Sequence, residues 1–259
     1  MSAQSHFARI ARVGGRAALV TVLRSRDTAA PGVGARMLVL PDGSYTGSLG
    51  DPGLDAAALA HADGLMWAER SEKHEVAGAL LFVDVVAPLP RLIVFGAVDF
   101  AAALCRMARA AGWRPYVVDP RARFATRERF PEAEEVIVGW PGKAFEQLGG
   151  IDRATFIAVL THDPKLDDAA LTIALRSQAA YVGAMGSRRA QARRRERLIE
   201  VGLTDDDLAR LAAPIGLDLG ALSAEETALS IIGEIVAVRN GRDGGRLSQA
   251  SGRIHEVGV

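Results

Sequence analysis

The chain has 259 residues, enough for one large domain or two ordinary ones, with 49% hydrophobic and 24% charged residues, the composition of a soluble globular protein. Lys plus Arg and Asp plus Glu each total 31, so no net field recruits nucleic acid or a membrane surface. No run approaches the ~18–20 apolar residues of a membrane span, and the start, MSAQSHFARIARVGG, carries no apolar signal region.

The single cysteine, Cys105, excludes an internal disulfide and a Cys-based metal site. The histidines show no paired metal-binding spacing. These features lead to the expectation of a cytoplasmic protein with no metal site of its own, no nucleic-acid partner and no membrane span.

Along the first 87 residues, AALVTVLRS (17–25) and ARMLVLPDGSYTGSL (35–49) predict strands, the second a hairpin turning on Asp42-Gly43. LDAAALAHADGLMWAE (54–69) predicts a helix, and GALLFVDVV (78–86) another strand. APLPR (87–91), with two prolines in five residues, marks a boundary. The expected division is a small N-terminal α/β domain over 1–87 and a second domain over 88–242.

Beyond the boundary, strands and helices alternate: RLIVFGA, DFAAALCRMARAAG, WRPYVVD, EEVIVG, GKAFEQLG, TFIAVLTHD, LDDAALTIALRS, AAYVGAM and the arginine-rich segment from Arg188. Strands without polar alternation, separated by helices, predict a parallel sheet covered on both faces. This is a Rossmann-like arrangement over about residues 90–186, with helices dominating afterwards. The last helix should begin on a capping box of Ser223 and Glu226, bury a face through Leu229, Ile232 and Val236, and stop near Gly241. The Gly- and Ser-rich stretch 243–259 is expected to be a flexible tail.

Ligands of open α/β sheets bind at the carboxyl ends of strands. At the first such turn Gly96 stands alone: Val98 replaces the second glycine of a dinucleotide fingerprint, and Asp99, read as a helix cap, adds negative charge. That argues against NAD(P). Asp119 lies 23 residues after Gly96, near the offset of an acid that holds a ribose hydroxyl, or else it is a turn residue before Pro120. His162 and Asp163 either bind a ligand or relay a proton, or they form an Asp-Pro turn and helix cap. The fourth place is GAMGSRR. Here Gly183 and Gly186 would let backbone approach a ligand, Ser187 would cap the helix, and Arg188 and Arg189 would meet an anion at a helix N-terminus. The alternative is that both arginines point into water. Arg193, Arg194, Arg195 and Arg197 are read as a solvated face.

The segments AYVGAMGSRRAQARRRERLIEVGL, LARLAAPIGLDLGALSAEETALSIIGEIVAVR and LTHDPKLD, within residues 91–240, resemble the xanthine dehydrogenase accessory protein family (XdhC/CoxI). GARMLVLPDGSYTGSLG resembles its smaller domain. The resemblance implies a dimeric chaperone that binds a molybdopterin-type cofactor and assists its maturation or its delivery to the apo-enzyme of a molybdenum hydroxylase of the xanthine or carbon monoxide dehydrogenase type. It implies no catalytic residue. Taken with the strand ends above, the expected cofactor-binding positions are Gly96, Asp119, His162, Asp163, Gly183, Gly186, Ser187, Arg188 and Arg189. Two departures stand out: Gly53 where the family has a cysteine, and Val98-Asp99 where it has Gly-His. A nicotinamide-dependent oxidoreductase on the same fold, or a partner-binding regulatory member, is the competing expectation.

Overall fold

The computed structural model describes residues 2–25 and 32–251. Its contacts divide the chain into one unit of residues 1–88 with 247–259 and a second of residues 89–246. Of the expected tail, residues 252–259 lie outside the described residues.

In the first unit, helix α1 (Ala3–Arg12) precedes strands β1 (Ala17–Ser25), β2 (Arg36–Val39) and β3 (Tyr45–Ser48). Helix α2 (Pro52–Ala68) and strands β4 (Glu72–Val76) and β5 (Ala79–Val86) follow. The sheet order is β3-β2-β1-β5-β4, with every pairing antiparallel. The central strand β1 is apolar on both faces: Ala18, Val20 and Val22 pack with α2 residues, while Ala17 and Leu19 pack with Phe7 of α1.

Helix α2 starts where the resemblance would place a cysteine. Asp51 caps it by accepting from Leu54 N, and Pro52 sits in the first turn, where its missing N–H costs nothing. Neither α1 nor β4 was anticipated. Helix α1 (AQSHFARIAR) turns Ala3, Phe7 and Ile10 to the sheet and is capped by Ser2, a helical period that was present in the sequence and passed over. Strand β4 (EKHEV) is a charged edge strand, a composition that discourages further pairing.

The second unit comprises β6 (Arg91–Phe95), α3 (Asp99–Ala110), β7 (Arg114–Val118), β8 (Glu135–Ile137), α4 (Pro141–Gln147), β9 (Thr155–Val159) and α5 (Pro164–Leu175). It continues with β10 (Tyr181–Ala184), α6 (Arg188–Glu200), α7 (Asp205–Ala209), β11 (Leu211–Ala212) and α8 (Ala224–Arg239). The sheet is parallel throughout, in the order β11-β10-β9-β6-β7-β8. This is the dinucleotide-fold order, whose switch point falls between β6 and β9.

Alternate strand residues feed two cores. Leu92, Val94, Phe156 and Ala158 pack with α3 and α8, while Ile93, Phe95, Ile157, Val159 and Val182 pack with α4, α5 and α6. Burial on both faces is why these strands lack alternation.

Helix α8 has the predicted Ser223–Glu226 capping box, but the predicted face is wrong. Ala228, Ile231, Ile232 and Ile235 face the core, whereas Leu229 and Val236 are exposed. In an all-round apolar helix, periodicity alone does not select the stripe. Among the described residues no helix is long and apolar enough to cross a membrane.

Cys105 lies in α3 at 1% exposure, and burial pushes its thiol up to about 12. A thiol reagent should therefore label the native protein only on the timescale of unfolding. Rapid labelling with loss of ligand binding would contradict this.

Candidate functional site

Pairing register sets the site. Val118, Phe95, Val159 and Ala184 lie level across β7, β6, β9 and β10. The turns that follow these four strands therefore share one edge of the sheet. At ~4.8 Å per strand, the Gly96 and Gly186 turns stand roughly 10 Å apart.

Gly96 has φ +108°, and a Cβ there would come within 3.2 Å of Thr161 atoms, so both conformation and crowding require glycine. The turn feeds α3, whose N-cap is Val98 with no side-chain cap bond. Asp99 is thus not the cap; it sits in the first turn and pairs with Arg129 Nη2 at 3.0 Å.

Asp119 is fully buried. Its carboxylate accepts from Ala97 N (2.8 Å), Arg121 N (2.9 Å), Arg121 Nε (2.9 Å) and Arg121 Nη2 (2.7 Å). Burial would raise its pKa, but these bonds from Arg121 and Ala97 outweigh it and hold the carboxyl below the usual range. The ribose-holding reading is corrected accordingly: both oxygens brace the Gly96 turn and the head of the next loop.

After β9, Thr161 Oγ1 accepts from Asp163 N at 2.7 Å, and Asp163 caps α5 through Lys165 N at 3.0 Å. Asp163 is therefore a helix cap, and exposed His162 lies beside it at the switch point. Asp163 also acts electrostatically on Arg121 across the crevice.

After β10, the structure separates the two glycines. Gly183 is not a ligand position: a Cβ there would meet Ile215 and the Tyr181 hydroxyl oxygen at 2.6 Å. Its hydrogen makes room for core packing. Gly186, at φ +137°, opens the turn, and Ser187 caps α6 by accepting from Ala190 N. Gln191 donates to the carbonyls of Ala184 and Gly186, both at 3.2 Å.

The arginines of α6 then divide. Arg195 pairs with Asp205 at 2.6 Å, and Arg197 holds Asp168 with two bonds of 2.6 and 3.0 Å. Arg194 is 4% exposed and not solvated as predicted: Nη2 pairs with buried Asp167 at 2.7 Å and bonds Met185 O, while Nη1 bonds Gln191 Oε1. Burial pushes the Asp167 carboxyl up despite Arg194. Arg188 and Arg189 are exposed at the positive end of the helix. Among the described residues neither has a hydrogen bond or ion pair.

Sequence reasoning missed Arg121, Phe124 and Arg129. The signal was present, since RARFATRER (121–129) holds four arginines directly after a strand end. It also missed the Asp167–Arg194 pair.

Val98 and Asp99 crowd and charge the position where a pyrophosphate would need bare backbone. Nicotinamide dinucleotides should bind this turn weakly or not at all, and low-micromolar affinity by calorimetry would contradict that. The double change Val98→Gly with Asp99→His should raise affinity.

A parallel sheet in this strand order, with cationic groups along its carboxyl edge, defines a Rossmann-type domain. Comparison with known proteins then makes the assignment specific. The XdhC Rossmann domain matches residues 92–235 and the XdhC and CoxI family domain residues 10–77. The chain belongs to the XdhC and CoxI family.

Among its relatives, uncharacterized protein YqeB of Escherichia coli K12 is 28% identical over 250 residues, 90% of this chain and 46% of that protein. A probable xanthine dehydrogenase subunit of Bacillus subtilis 168 is 28% identical over 159 residues, 61% of this chain and 46% of that protein. The molybdenum cofactor insertion chaperone PaoD of E. coli K12 is 25% identical over 265 residues, 86% of this chain and 83% of that protein. The chain thus spans about half the length of the first two. A crystal structure of a xanthine dehydrogenase from Bacillus halodurans shares the fold. Its TM-score is 0.64 at 24% identity, covering 92% of this chain and 67% of that one.

Proposed function

We propose that this protein is an accessory factor in molybdenum hydroxylase maturation, holding a molybdopterin-type cofactor by its phosphate at Gly186, Ser187, Arg188 and Arg189. The observation that carries the reading is the division of charge on α6. Arg194, Arg195 and Arg197 each have a carboxylate. Arg188, Arg189 and exposed Arg193 have none among the described residues, and for the first two the dipole at the helix N-terminus disfavours the charge. An anion on the turn resolves that conflict.

The residues fit such a group. Gly186 clears the backbone, Gln191 and Arg194 hold the turn in shape, and exposed His162 lies about one strand spacing away. When bound, the cofactor would supply the hydroxylation chemistry of the client enzyme. The protein's part is to bind and to shield. The name of PaoD supports the maturation role, and that of the B. subtilis relative a link to xanthine dehydrogenase. In this reading the client is a hydroxylase of the xanthine or carbon monoxide dehydrogenase type, and the working form is a homodimer. The sequence's one thiol is buried, which favours holding the cofactor over relaying sulfur through a cysteine of this chain.

Native mass spectrometry of the protein purified from cells that make molybdopterin tests the proposal. A co-purifying pterin supports it. A nicotinamide would favour the oxidoreductase reading, and a ligand-free protein the regulatory one.

A further inference from the structure

Two histidines join the edge strand β4 to helix α2. In the β4–β5 register Glu72 stands opposite Val83, His74 opposite Leu81 and Val76 opposite Ala79. Val83, Leu81 and Ala79 pack in the core shared with α2, so Glu72, His74 and Val76 share the face of β4 turned to that helix. Val76 packs on this core, while the other two meet His61 of α2. The imidazoles of His61 and His74 stack with centroids 3.6 Å apart and planes 20° from parallel. His61 Nε2 lies 3.3 Å from Glu72 Oε1, and the other oxygen of Glu72 is held by Arg70 Nη2 at 3.1 Å. That imidazole nitrogen is enclosed, yet it has no aligned hydrogen bond among the described residues.

The stack suits uncharged rings. A first proton on His61 is opposed by burial, then by His74 and Arg70, and favoured by Glu72; the balance holds its pKa below the ordinary value. A second proton would set two like charges 3.6 Å apart. Folding therefore favours the neutral His61 ring. This contribution to stability is complete above about pH 6.5 and is lost as the pH falls through that value toward the lower one of the folded protein.

The other charged groups around α2 are engaged elsewhere: Asp55 with Ser48 and Leu49, Asp63 with Trp67, and Glu69 with Arg16. Lys73 and Glu75 lie on the opposite face of β4, where Glu75 pairs with Arg24. Strands β1, β2 and β5 meet α2 through uncharged side chains such as Val20, Met37 and Leu81. Strand β4 itself pairs with β5 alone, and an edge strand opens at lower cost than the strands inside a sheet.

We propose that the His61–His74 stack is a proton-operated latch, which fastens β4 to α2 at neutral pH and releases this edge of the sheet in mild acid. Release uncovers the backbone of β5 (Ala79–Val86), an apolar strand that charged β4 otherwise shields from pairing. The latch lies in the first unit and does not depend on the function proposed above.

Amide hydrogen exchange of the full chain at pH 7.5 and 5.5, corrected for the intrinsic chemical rate, tests the latch. Exchange of residues 72–76 should quicken about three- to tenfold at pH 5.5, while β1 at the sheet centre stays protected. Ten is the limit for one imidazole of ordinary value a pH unit below it. With His61→Phe and His74→Phe together, which keep two rings that take no proton, exchange of 72–76 should be the same at both pH values. Proton NMR titration of the unaltered chain needs no variant, and there the His61 ring should titrate below the ordinary histidine value.

Equal protection of β4 at both pH values in the parent would overturn the latch, as would an acid response that survives in the double variant. Loss of protection in β1 and β4 together would mean that the unit opens as a whole, which overturns a local release. A His61 ring titrating at or above the ordinary value would overturn the direction assigned to it.

Discussion

Asp167→Ala should destabilise the protein by about 3–5 kcal/mol, because it leaves the Arg194 guanidinium buried without its counter-charge. Both side chains are almost completely buried, and Asp167 Oδ1 and Arg194 Nε already lack hydrogen-bond partners among the described residues. Burial pushes the Asp167 carboxyl up despite Arg194, the direction expected where attraction offsets only part of the desolvation of a buried ion pair. The pair is therefore a poor source of stability, and its removal as a unit should be mild. Asp167→Leu with Arg194→Met should come within about 2 kcal/mol of the parent, or exceed it. Urea denaturation midpoints of the three proteins measure this. If the single and double changes destabilise equally, the pair does not carry the desolvation cost assigned to it. The double variant should still lose cofactor affinity, since Arg194 also holds Met185 O and Gln191 and thereby shapes the Gly186 turn.

Arg188→Ala should weaken molybdopterin binding roughly ten- to hundredfold, the loss of charge-assisted bonds worth ~1.5–3 kcal/mol. Arg195→Ala is the matched control, on the same helix but engaged with Asp205, and it should change affinity far less. Arg194 does not serve as a control, because its removal disturbs the turn itself. Added salt should weaken binding, though less than for an exposed pair if the phosphate is partly buried. Fluorescence titration of the pterin supplies both affinities. Equal, small effects at Arg188 and Arg195 would leave the N-terminal arginines as solvated charges and remove the basis of the proposed function.

Much of the second unit was legible in the chain alone. The apolar runs 91–95, 114–118, 155–159 and 181–184, each without alternation, announced buried parallel strands, and the glycines and caps between them located the turns. The first unit was read less completely. Strand β4 draws its order from pairing with β5 and not from local pattern, whereas helix α1 carries a capped amphipathic period that the reading passed over.

At the site, the local motif set the kind of residue available but not its employment. Gly183 and Gly186 are three residues apart in one motif, yet the space at one is filled by Ile215 and the Tyr181 hydroxyl while the other opens a turn. Arg194 was read as solvated, although its place four residues before Leu198 sets it on the face that the fold buries. Its partner Asp167, on another helix, was not legible. Asp119 sat at the right offset for a ribose and turned inward to Ala97 and Arg121.

Patterns a few residues long were enough for the order of most strands and helices. They suffice because burial on one or both faces leaves a period in the chain. Which charges are spent inside the protein and which remain for a ligand depended on the packed fold alone. An arginine becomes a wall, a brace or an anion contact according to the carboxylate placed within bonding distance, and for Arg194 and Arg197 that carboxylate comes from a helix 27 and 29 residues away.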